Sequence, residues 1–75
     1  MKIPKEIEAK FFSGEASDKT KFGINASVSV LSGPHKGASG SVISLVSVEP
    51  QAKYVIELGN GSEAYVDESD LAGLR

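Results

Sequence analysis

"ASVSVLSGPHKGASGSVISLVSV", residues 26–48, is where the apolar spacing of the chain changes. Upstream, Ile3, Ile7 and Phe11 recur every four positions; here Val28 and Val30 alternate with Ser27 and Ser29. A period of two is the mark of a strand with one buried face. Gly33, Pro34 and Gly37 then interrupt the run. Pro34 pre-sets a turn, and the two glycines suit φ values closed to other residues. Gly40 opens a second β-rich run, 40–48, apolar at most positions, and lets that strand bend.

Two further runs follow. "AKYVIELG" (52–59) and "SEAYVD" (62–67) flank Asn60-Gly61, the strongest hairpin signal in the chain. Read as a two-residue type I′ turn, it pairs Ile56 with Tyr65 and Val55 with Val66. Tyr54 and Tyr65 then become diagonal neighbours on one face. Exposed, they form a stacking platform for bases or a patch for a protein; buried, they are core. "DESDLAGL" (67–74) offers a one-turn helical corner and a short last strand.

The N-terminal residues predict a short helix, with Pro4 at its first position and Gly14 as its stop. At about ten residues it is marginal alone, so Ile7 and Phe11 must dock on something. Residues 15–25 are a polar loop with Phe22 and Ile24 as its only anchors. Four or five short strands joined by tight turns predict a mainly β protein: a strongly bent, five-stranded antiparallel barrel over 26–75. Val28, Val30, Val42 and Leu71 belong to its core. Residues 1–25 supply a helix and loop that pack on the barrel, with Ile7 and Phe11 covering one of its ends or the surplus apolar face of the 52–67 hairpin.

The segment "VSVLSGPHKGASGSVISL" (28–45) resembles the KOW motif of certain large-subunit ribosomal proteins and transcription elongation factors. Val28 and Val30 precede the turn, Lys36-Gly37 close it, and Gly40 and Val42 open the next strand. "YVIELGNGSEAYVDESDL" is similar to the strand, turn, strand and corner that complete SH3-like barrels of this group. The resemblance covers residues 26 to about 72. It implies an SH3-like fold and a turn, Pro34, His35 and Lys36, that faces RNA or protein. A lysine among backbone N–H groups holds a phosphate as a point charge.

Charge argues against the nucleic-acid half of that implication. Residues 1–48 hold six lysines against four acids; residues 49–75 hold Lys53 and Arg75 against six acids. A chain of net charge -2 and pI near 5.2 lacks the basic footprint that grips phosphate backbones. Glu63, Asp67, Glu68 and Asp70 form an acidic corner that repels a polyanion and steers a basic protein surface.

Catalysis finds no set of residues. None of the eleven serines sits in a Gly-x-Ser-x-Gly elbow, and His35 is the only histidine. "GASGS" has no Lys-Ser/Thr and no long helix after it, so it is no phosphate loop. The absence of Cys removes disulfides and thiolate metal sites. No cofactor or metal is expected. Nothing resembles a secretory leader or a run of ~20 apolar residues, which predicts a cytoplasmic protein without membrane association. The expected function is a small non-catalytic interaction module that binds a protein, of accessory or immunity type. A KOW-like ribonucleoprotein module is the alternative.

Overall fold

The structure is a computed structural model that describes residues 3–74. Met1, Lys2 and Arg75, which the sequence reading includes in its two segments, lie outside the described residues. The chain runs helix α1 (Lys5–Phe12), strand β1 (Ser27–Val30), β2 (Ser39–Ser47), β3 (Lys53–Leu58), β4 (Glu63–Asp67), a 3₁₀ turn (Glu68–Asp70) and β5 (Leu71–Gly73). The strands form one antiparallel sheet in the order β4-β3-β2-β1-β5. The protein is therefore mainly β, with one short N-terminal helix.

The barrel expected from the strand count does not close. β4 and β5 are the two edges of the sheet and share no ladder. Only the three-residue 3₁₀ turn separates them in sequence, and it carries the chain across to β1 rather than back along β4. β5 pairs instead with β1, Val30 opposite Leu71 and Val28 opposite Gly73.

Curvature comes from β2. Its pairing with β3 shifts by one residue between Val42 and Ser44 and again between Leu45 and Ser47. Each such bulge bends a strand and increases its twist. Val42 lies opposite Ile56 and Leu45 opposite Tyr54, so both point inward. Gly40 stands opposite Leu58, where a Cβ would overlap the Glu57 carbonyl. The backbones of β2 and β3 approach there as only glycine permits.

The core contains Phe11, Val28, Val30, Val42, Ala52, Tyr54, Ile56, Leu58, Ala64, Val66 and Leu71. All four core residues named from sequence are in it. Phe11 is fully buried, and its ring stacks on Tyr54 with centroids 6.3 Å apart. Phe22 approaches the same ring edge-on at 5.8 Å. Ile7 is only half-buried and stands outside this cluster. α1 ends where Gly14 was expected to stop it. Gly14 has φ +82°, its N–H donates to Phe11 O, and Glu15 N–H donates to Lys10 O. That is a Schellman ending. Pro4 sits one position earlier than expected, as the N-cap.

The β3–β4 register differs from the sequence reading by one residue. Val55 faces Tyr65 and Tyr54 faces Val66. Gly61 N–H donates to Leu58 O and Gly61 has φ +89°, so the loop is a three-residue Gly59-Asn60-Gly61 connection. This is a type I turn followed by a left-handed glycine, the other common way to use such a sequence. A one-residue slip exchanges the faces of a strand. Tyr54 and Tyr65 therefore lie on opposite faces, Tyr54 fully buried and Tyr65 67% exposed. Only Val55 and Tyr65 remain as apolar residues on the outer face, so that hairpin has no surplus apolar face for α1 to cover.

Candidate functional site

The β1–β2 turn is built as its sequence demands. Gly33 and Gly37 both have φ +90°, Lys36 N–H donates to Gly33 O, and Gly37 N–H donates to Val30 O. This folds Pro34, His35 and Lys36 into an exposed knuckle. On one side the knuckle faces the corner after β4. Leu31 N–H donates to Asp70 O, and Ser32 Oγ donates to Asp70 Oδ1 at 2.6 Å.

Between knuckle and corner lies a depression of about 110 Å³, where the sheet fails to close. Pro34, His35, Tyr65, Asp67 and Asp70 line it, with Lys53 and Ser32 beside them. Four of the seven residues singled out from sequence thus meet in one place, although about thirty residues of chain separate the two groups. Lys53 Nζ stands 3.7 Å from Asp67 Oδ1, both side chains about 40% exposed. Such a surface pair is worth no more than about 1 kcal/mol.

The other three are placed elsewhere. Lys36 is absent from that depression and lines a second one with Leu58, Gly59 and Asn60, which Pro34 and His35 also border. Glu63 is exposed at the start of β4, directly across from Glu57. Glu68 is half-buried and engaged by the rest of the fold: its Oε1 accepts the Tyr54 hydroxyl and the Lys21 N–H, both at 2.7 Å. Phe22 N–H donates to the same hydroxyl at 3.4 Å. The acidic corner thus divides into a carboxylate that fastens the loop before β1 and two, Asp67 and Asp70, that face the depression.

Burial above all, and then the bond to the Glu68 carboxylate, push the Tyr54 hydroxyl well above the ordinary tyrosine range; the Phe22 N–H acts in the opposite direction. A folded-state pKa raised above the unfolded one gives stability that is complete below about pH 10 and lost as pH climbs toward the folded value. The parent protein should therefore lose stability steeply above pH 10. Tyr54→Phe, with no proton to release, should lose it more gradually. Urea unfolding at stepped pH measures both slopes, and equal slopes would count against the Tyr54–Glu68 bond.

Lys10 and Lys19 do not join Lys36 at the turn. Lys10 and Lys19 line a groove beside α1 together with Glu6 and Asp18, and Lys19 Nζ lies 3.4 Å from Glu49. Among the described residues no group of three His, Asp or Glu side chains is placed to hold a metal ion, and no helix is long and apolar enough to cross a membrane.

Sequence reading missed Lys53 and Ser32 at the depression. The Lys53–Asp67 pair was within reach of the hairpin had its register been counted from a three-residue loop. Compared with family models, curated proteins and solved structures, the chain matches none.

Proposed function

We propose that this chain is a small, non-catalytic interaction module that binds a basic surface of a protein partner through the open seam of its sheet. The observation that carries the reading is the depression itself: an exposed tyrosine, Tyr65, between Pro34 and His35 on one side and Asp67 and Asp70 on the other. Tyrosine supplies contact area at small entropic cost, and carboxylates at the rim steer a cationic partner. The KOW-like resemblance supports an SH3-like strand arrangement with a recognition turn, and an accessory or immunity-type role in the cytoplasm suits a compact acidic domain without cysteine.

The ribonucleoprotein alternative centres on Lys36 and His35. Grip on a polyanion grows with the number of converging cations, and here Lys10 and Lys19 lie in another groove with acids between them. Binding of labelled RNA, followed by fluorescence anisotropy at about 150 mM salt, should be weak. In a parallel pull-down, Asp67→Lys with Asp70→Lys should lose the partner that the parent retains while melting close to the parent. Sub-micromolar, sequence-dependent RNA binding would replace the protein-binding reading with the ribonucleoprotein one.

A further inference from the structure

β4 is an edge of the sheet, and its outer side carries no ladder. Its bonding to β3 falls on alternate residues. Leu58 N–H donates to Ser62 O at one end, and Glu68 N–H donates to Ala52 O at the other. In an antiparallel pair this parity gives Ala64 and Val66 to β3 and turns the N–H and C=O groups of Glu63, Tyr65 and Asp67 outward. Among the described residues no hydrogen bond reaches those three from the outer side.

An unpaired edge is a template for another strand, and proteins guard it with charge. The charge here has one sign. Glu63, Tyr65 and Asp67 all place their side chains on the outer face, where Glu57 stands across from Glu63. Two copies joined antiparallel about Tyr65 would bring Glu63 of each against Asp67 of the other. Like charges directly opposite are destabilising. The edge thus repels a second copy and suits a strand of opposite charge.

We propose that β4 accepts an extended segment of a partner protein as an added antiparallel strand. The segment carries Lys or Arg at positions i and i+4 and an apolar residue at i+2. Position i then lies opposite Asp67, i+2 opposite Tyr65 and i+4 opposite Glu63. At the Asp67 end the seam offers the incoming cation a second carboxylate, Asp70, and the ring of Pro34 for its aliphatic stem. Lys53 must yield Asp67, which an exposed pair does readily. This rests on the protein-binding reading and adds to it the partner's backbone conformation and residue spacing.

The probe is a fluorescein-labelled peptide, Thr-Lys-Thr-Val-Thr-Lys-Thr, titrated by anisotropy at low and physiological salt. The parent protein should bind it, and Asp67→Lys with Glu63→Lys should weaken binding at least tenfold. N-methylation of the central Val, whose N–H points at β4, should also cost at least tenfold, while N-methylation of a neighbouring Thr should cost far less. Equal tolerance of both methylations would overturn strand addition and leave a purely electrostatic contact, with the protein-binding reading intact. No binding of the unmethylated peptide at about 1 mM, an affinity near the weakest useful limit, would overturn it too. So would sedimentation showing a dimer of the parent chain that the peptide dissociates, which would assign the edge to a second copy.

Discussion

Phe11→Ala lowers the unfolding free energy by about 3–5 kcal/mol, the usual cost of emptying a buried phenylalanine site. For a domain of this length, total stability is on the order of 4–11 kcal/mol. The loss should depress the thermal midpoint by at least about 12 °C, taking 4–8 °C per kcal/mol for small domains. The size of the effect follows from position. Phe11 has no exposed surface, stacks on Tyr54, and accepts Ile24 N–H through its backbone carbonyl at 2.9 Å. Ile7→Ala should cost less than about 1.5 kcal/mol, because that side chain is half-buried and removes less area from water. Calorimetry of the two single variants separates them. A Phe11→Ala melt within a few degrees of the parent would show α1 to be peripheral.

Gly40→Ala should be among the most damaging single methyls in the molecule. The added carbon would overlap the Glu57 carbonyl and lie 2.9 Å from Ile56 Cγ2. The first of these is backbone in the middle of the β2–β3 ladder and has no rotamer to escape into. Relief requires the two strands to part, which should cost about 3 kcal/mol or more, the upper range for overpacked sites. Gly59→Ala is the matched control, since nothing lies within 4 Å of its added carbon. Denaturant midpoints should fall sharply for the first variant and barely move for the second. Comparable midpoints would mean that β2 and β3 are not held this close.

What sequence could and could not disclose is clearest in β2. Strands are recognised by a period of two, and 26–30 shows it cleanly. In 40–48 the inward residues Val42, Leu45 and Val48 are spaced by three. Each interval is an ordinary step of two plus one bulged residue, so the apolar pattern blurs although the strand is regular on either side. A bulge depends on how β3 is presented, which local sequence does not encode. The hairpin failed for a related reason. Gly59-Asn60-Gly61 serves either a two- or a three-residue loop, and the choice decides which tyrosine is core. Of the site, the turn and the acidic corner were legible as separate features. Their meeting at the seam was not, because it depends on the sheet staying open between β4 and β5. Nor was the bond between Glu68 and Tyr54, since an acid in a run of acids reads as solvated surface.

That bond bears on the order in which the molecule assembles. Glu68 reaches Lys21 across 47 residues, whereas the β1–β2 and β3–β4 ladders join neighbours in sequence. Closing a long loop in a disordered chain carries an entropic cost that few contacts repay at once. Hairpins close quickly because their contacts are local, and each one formed shortens the path between distant segments. By the time β1 through β4 are paired, the corner and the loop before β1 are already neighbours, and the remaining closure costs little. The carboxylate that looks like the start of an acidic surface therefore behaves as a latch: it fastens the first third of the chain to the last only after the sheet has brought them within reach.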